Sequence, residues 1–183
     1  GKYICCGHDL RAHHAVVLIW DDASRLTEAP RVIDLPLSPE GVLPSQGTWY
    51  QTDDGRIWMY FRDASISLCL GLTWSDDEGE TWSETLRSDF PNSFSRACAG
   101  RLDDGRCYIA GNNYNRFVDR MSLMIALSDN GYTFDRQYVL AIWGLESAFG
   151  AKAALMRSTI ATTSADRAII KPAEAARAPA GAT

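Results

Sequence analysis

Two arginines of this chain, Arg62 and Arg96, stand where β-rich runs meet loops, and Arg116 lies further along. A guanidinium is a planar fork of donors that grips a carboxylate at two points, so arginines gathered in one place would hold an anionic group. Asn92, Asn112 and Asn113 sit in neighbouring loops and can bond hydroxyls, although asparagine also serves turns by tolerating unusual backbone angles. Residues 7–14 contain all three histidines. His13 or His14 can exchange a proton near neutral pH, and Asp63 beside Arg62 is the other acid/base candidate. Adjacent His13 and His14 on an extended chain point to opposite sides, which argues against a shared metal ion. Trp49, Phe94 and Tyr114 can stack on a sugar ring or fill the core. The plain alternative is that the arginines are surface residues paired with Asp63 or Asp89.

A repeat must position these residues. Ser75–Trp82 reads S-x-D-x-G-x-T-W. In a tight hairpin turn Asp77 accepts bonds from nearby backbone N–H groups, Gly79 supplies positive φ, and Ser75, Thr81 and Trp82 complete the turn and its apolar plug. Gln51–Trp58 is echoed by Arg101–Tyr108 at an offset of 50 residues. Leu127–Phe134 repeats the turn pattern with Asp129, Gly131, Thr133 and Phe134, its glycine 52 residues after Gly79. A weaker candidate at Ile19–Ser24 lacks the glycine. A period of about 40–50 residues suits a four-stranded β-propeller blade.

The expected strands follow from alternating runs between turn signals. They are Tyr3–Cys6, Ala15–Trp20 and Arg31–Leu35; Thr48–Gln51, Ile57–Arg62, Ser67–Trp74 and Glu84–Arg87; and Arg96–Leu102, Cys107–Gly111, Ser122–Leu127 and Gln137–Leu140. The expectation is an all-β chain with about three blades, at 1–37, 46–88 and 95–141. An Ala-rich tail over 142–183, weakly helical or disordered, follows. Alternating strand direction puts the S-x-D-x-G turns at one end of the blades. The loops carrying the arginines, asparagines and histidines fall at the other.

The turn motif resembles the Asp-box of sialidase-like (BNR-repeat) β-propellers. Pro91–Arg96, Ala99–Leu102 and Gly111–Asn113 are similar to bacterial exo-sialidase-like propellers and to propellers that cleave uronate-containing polysaccharides. The resemblance implies a fragment of a six- or seven-bladed propeller, closed by further blades or another chain. It implies an acidic oligosaccharide or polysaccharide held by Arg62 and Arg96 at the channel mouth, and a secreted or periplasmic location. Sialidases use an arginine triad, a Tyr–Glu nucleophile pair and an Asp acid/base, and no Tyr–Glu pair is placed here. The reading is a sialidase-like glycosidase, with a uronate-specific lyase or a non-catalytic glycan-binding or assembly propeller as alternatives.

Composition narrows the field. The net charge is −5, and residues 1–141 carry 13 Lys/Arg against 20 Asp/Glu with no basic stripe, which argues against nucleic acid. No apolar run approaches a membrane span of about 20 residues. Five cysteines with no C-x-x-C pair speak against a disulfide framework or zinc site, and no cofactor motif is present. The cysteines read as small buried hydrophobes on strands.

Overall fold

Antiparallel meanders, each folded by consecutive hairpins, organise the chain. The computed structural model describes residues 1–9, 14–114, 116–117 and 120–142. The first sheet is β1 (Tyr3–Asp9), β2 (His14–Trp20) and β3 (Arg31–Asp34). The second is β4 (Pro44–Gln51), β5 (Ile57–Asp63), β6 (Cys69–Ser75) and β7 (Leu86–Pro91). The third is β8 (Cys98–Arg101), β9 (Cys107–Gly111), β10 (Ser122–Ser128) and β11 (Arg136–Ile142). These are the expected all-β propeller blades.

Several boundaries differ from expectation. β1 continues through Gly7, His8 and Asp9, so part of the expected histidine loop is strand, with His8 opposite Ala15. β4 starts four residues early, at Pro44, and absorbs a bulge between Ser45 and Gly47, where Gln46 has φ +31°. β7 lies at Leu86–Pro91 and not at 84–87, and β8 is shorter than expected. β11 takes in Ile142, the first residue of the expected tail, and 143–183 lie outside the described residues. The cysteine expectation is corrected at Cys98, which is exposed; only Cys107 is fully buried.

The cores lie between sheets. Ile4, Ala15, Val17 and Ile19 of the first sheet pack against Ile57, Met59 and Phe61 of the second, with Trp82 among them. Tyr50, Tyr60, Leu70 and Phe90 of the second sheet pack against Cys107, Ile109 and Ala126 of the third, with Phe134 against them. β5 alternates accordingly: Ile57, Met59 and Phe61 face the first sheet, and Trp58 and Tyr60 face the third. Side chains of this size contribute about 1.5–3 kcal/mol each when fully buried. β4 runs between neighbours on both sides. Thr48 Oγ1 accepts from Ala99 N at 2.8 Å, and Trp49 Nε1 donates to Ile4 O at 3.1 Å.

The S-x-D-x-G turns join the third and fourth strands of the second and third sheets. Asp77 Oδ1 accepts from Thr81 N and Ser75 Oγ, both at 2.8 Å, and its Oδ2 accepts from Thr81 Oγ1 at 2.6 Å. Ser75 Oγ in turn accepts from Gly79 N at 2.8 Å. The second turn corrects the sequence alignment. It is one residue shorter between serine and glycine, so the central acceptor is Asn130 and not Asp129. Asn130 Oδ1 accepts from Thr133 N at 2.8 Å, and Ser128 Oγ accepts from Gly131 N at 2.9 Å. Asp129 instead pairs with Arg136.

Each turn also docks on the preceding sheet. A Cβ on Gly79 would lie 3.2 Å from Ile4 Cδ1 and 3.3 Å from Ile19 Cδ1. A Cβ on Gly131 would collide with Thr52 Cγ2, and Tyr50 Oη donates to Gly131 O. Trp82 Nε1 closes the first turn on Gly79 O at 2.9 Å while its ring enters the core shared with the first sheet. The motif therefore staples a hairpin and seats it on its neighbour.

Gly55 provides a matched control, with φ +88° against +90° at Gly79 and nothing within 4 Å of its added Cβ. Gly55→Ala should cost about 1–2 kcal/mol of backbone strain, and Gly79→Ala distinctly more, measured by urea unfolding. Equal costs would show that the turn is not seated against the first sheet.

Candidate functional site

The two ends of the blades treat their arginines differently. At the turn end, carboxylates meet them: Arg31 bonds Asp21 and Glu80, Arg56 bonds Asp76, Arg101 bonds Asp53, Arg106 bonds Asp104 and Arg136 bonds Asp129. These mostly exposed pairs contribute little stability each, but they compensate the charge of those arginines. At the opposite end, neither Arg62 nor Arg96 makes an ion pair among the described residues.

Arg62 is the penultimate residue of β5, on the side that faces the third sheet. Its Nε donates to Ser45 Oγ at 3.2 Å, and Ser45 Oγ donates to Arg62 O at 3.1 Å. Its guanidinium carbon lies 4.6 Å from the centre of the Phe94 ring. Burial first, then the positive charges of Arg120 and Arg96, pull the Arg62 pKa below its ordinary value, so three arginines share one field. A guanidinium stays charged at any physiological pH. An anion placed among them would relieve that mutual repulsion.

Three segments hold this cluster. The link after β7 carries Asn92, Phe94 and Arg96. Asn92 is buried, takes Ser95 N on its Oδ1 at 2.9 Å, and donates its own N–H to Leu68 O at 2.9 Å. Ser93 N donates to Asn112 O at 3.1 Å, tying the link to the β9–β10 loop. Gly111 leaves room for the crossing: a Cβ there would lie 3.3 Å from Arg96 O. Arg120 Nη2 reaches Phe94 O at 3.5 Å. Three bulky residues at this end, Ile66, Leu68 and Phe94, have φ between +59° and +65°. Left-handed backbone in such residues is strained and persists only where the surroundings enforce it.

Asp63 supplies part of that enforcement. Its Oδ1 accepts from Leu43 N at 2.9 Å and Ser65 N at 2.8 Å, and its Oδ2 from Ser65 Oγ at 2.7 Å. Burial pushes its pKa up, but hydrogen bonds from Ser67, Ser65 and the Leu43 and Ser65 amides outweigh this and hold it below the ordinary carboxylate value. Asp63 thus fixes the β5–β6 loop, and its donors replace the pairing with Arg62 that the plain reading supposed.

The remaining sequence candidates divide. Asn112 donates to Ser122 O, and buried Asn113 donates to Ile109 O at 3.3 Å, so both shape the loop from within. Arg116 is exposed on the β9–β10 loop. Tyr114 Oη accepts from Ser122 N at 3.5 Å, and Trp49 packs on the first core, so both are framework. His14 opens β2, and His13 lies outside the described residues. Among the described residues no group of three His, Cys, Asp or Glu could hold a metal ion. Sequence reasoning missed Arg120 and Ser45. The repeat offset sets Arg120 against Leu70, so spacing gave no signal; Ser45 lies directly opposite Arg62 in register, on a strand end placed too late.

The model of the BNR repeat-like domain family matches residues 1–144. The chain belongs to that family. No curated protein has a significantly matching sequence. Among solved structures, this BNR repeat-like chain resembles the intramolecular trans-sialidase of Ruminococcus gnavus, solved with oseltamivir carboxylate, at 16% identity and TM-score 0.55, over 75% of this chain and 29% of that one. It resembles the NanB sialidase of Streptococcus pneumoniae at 20% identity and TM-score 0.53, over 75% and 21%. It resembles a Dyadobacter fermentans protein of unknown function at 17% identity and TM-score 0.57, over 78% and 39%. The fold is sialidase-like, and the chain spans between about a fifth and two fifths of these proteins' length.

The Asp63 geometry fixes a pH dependence. A carboxyl with a lowered folded pKa stabilises fully above its unfolded value, about 3.9, and that stability is lost as pH falls through the folded value. Unfolding midpoints in urea should therefore decline as pH drops below about 4. Asp63→Asn should lower stability at neutral pH and make that decline shallower; an unchanged slope would contradict the role given to Asp63.

Proposed function

We propose that the arginine end of the blades binds the carboxylate of an acidic sugar, within a sialidase-like glycoside hydrolase acting on acidic glycans. One observation carries this reading: Arg62 and Arg96 stand in one field with Arg120 and without ion pairs among the described residues, while the turn end pairs its arginines with carboxylates. Ser45 and Phe94 hold Arg62 with its charge uncompensated, which is the arrangement a planar carboxylate complements. The likeness to sialidases supports the fold on which such a site would sit. The R. gnavus neighbour was solved with a molecule that itself bears a carboxylate.

In this reading Arg62 and Arg96 grip the carboxylate, and Arg120 adds to the attracting field. Asn92, Asn112 and Asn113 set the loop shapes, and Arg116 flanks the rim. Proton transfer falls to His13 or His14, since Asp63 is committed to its loop. A charge-assisted hydrogen bond contributes about 1.5–3 kcal/mol, or roughly ten- to hundredfold in affinity.

Calorimetric titration of the chain with N-acetylneuraminate and with D-glucuronate should give binding that weakens with salt and drops at least about tenfold in Arg62→Ala and Arg96→Ala. Release of fluorophore from an α-linked sialoside would mark a glycosidase. Unsaturated, ultraviolet-absorbing products from a polyuronate would mark a lyase instead, and binding without either a glycan-binding propeller. Unchanged affinity in both arginine variants would remove the carboxylate site.

A further inference from the structure

Phe94 combines three features that chain connectivity alone does not require. Its backbone is left-handed, with φ +59°, a conformation that a bulky residue rarely adopts. Its ring carries the Arg62 guanidinium at 4.6 Å from its centre, within the range of a cation–π contact. Its carbonyl receives Arg120 Nη2 at 3.5 Å. The flanking residues make the strained conformation hard to escape. Asn92 caps Ser95 N on one side, Ser93 N is bonded to Asn112 O, and the Phe117 ring lies 5.4 Å away.

We infer that Phe94 is a positioning residue: its left-handed backbone turns the ring to Arg62 and its carbonyl to Arg120, so that one residue holds the guanidinium that grips the carboxylate and the one that adds to its field. This rests on the carboxylate reading of Arg62. The physical logic is that of strain retained where it serves a site. The guanidinium donors lie in its own plane, and the ring restricts how that plane can swing, so Arg62 keeps one direction in which a carboxylate can meet its fork. The ring also restricts water beside Arg62, and a less hydrated charge interacts more strongly with an incoming anion. One face of the Phe94 ring is thereby taken by Arg62.

The test uses the full chain with four variants: Phe94→Gly, Phe94→Ala, Phe94→Tyr and, as control, Arg62→Ala. Thermal unfolding reads the strain. At an ordinary position glycine is less stable than alanine, whereas at positive φ the order reverses, so Phe94→Gly should melt above Phe94→Ala. Titration with N-acetylneuraminate reads the positioning. Both ring-less variants should bind about tenfold more weakly than the parent chain, and Phe94→Tyr, which keeps the aromatic face, should stay within about twofold of it. Phe94→Gly binding as tightly as the parent while Arg62→Ala loses affinity would overturn the role of Phe94 and leave the site standing. Arg62→Ala binding unchanged would overturn both. Phe94→Ala melting above Phe94→Gly would overturn the strained backbone on which the inference depends.

Discussion

The contact on which the rest depends is the seat of each S-x-D-x-G turn on the preceding sheet. Gly79 and Gly131 have two duties there. Each supplies a positive φ, at +90° and +82°, and each leaves space that a neighbouring side chain already uses. A turn that merely closed its own hairpin would need only the first. Because the turn is also seated, successive sheets are locked at a fixed angle. The cores between sheets can then fill with Trp82 on one side of the second sheet and Phe134 on the other. β4 runs through the middle of this arrangement, bonded through Thr48 to one neighbour and through Trp49 to the other.

Locking the sheets at one end gathers loops at the other. The link after β7 crosses to the β9–β10 loop because Gly111 has no side chain to obstruct it, and Ser93 closes that crossing with a backbone bond to Asn112. Arg62 and Arg120 come from different segments, and Phe94 of the crossing link touches both, Arg62 through its ring and Arg120 through its carbonyl. The ion pairs of Arg31, Arg56, Arg101, Arg106 and Arg136 all lie at the turn end. Asp63, the one carboxylate adjacent to Arg62 in sequence, is turned away by the donors of its own loop. The pairing of arginines thus differs between the two ends of the blades, a product of local turn chemistry and not of overall composition, which is net negative.

Much of the fold was legible because repeats impose their own register. The echo of Gln51–Trp58 in Arg101–Tyr108 marks two hairpins, and alternation marks their strands. Failures occurred where one residue changed the geometry. The second turn is a residue shorter, so Asn130 replaced Asp129 as acceptor, which a fixed offset cannot reveal. The bulge at Gln46 concealed the start of β4 and with it Ser45. The site was only partly legible. Arg62 and Arg96 follow from strand ends, but Arg120 lies on a loop that departs from the repeat. That Asn92, Asn113 and Asp63 face inward depends on loop hydrogen bonds that no periodicity encodes.

The most direct measurement is a crystal structure of the chain soaked with an acidic monosaccharide. The account predicts the sugar carboxylate within hydrogen-bond distance, about 3 Å, of the guanidinium groups of Arg62 and Arg96, with the Phe94 ring still against Arg62. A carboxylate bound elsewhere, or Arg62 folded onto an acidic side chain of its own sheet, would contradict it.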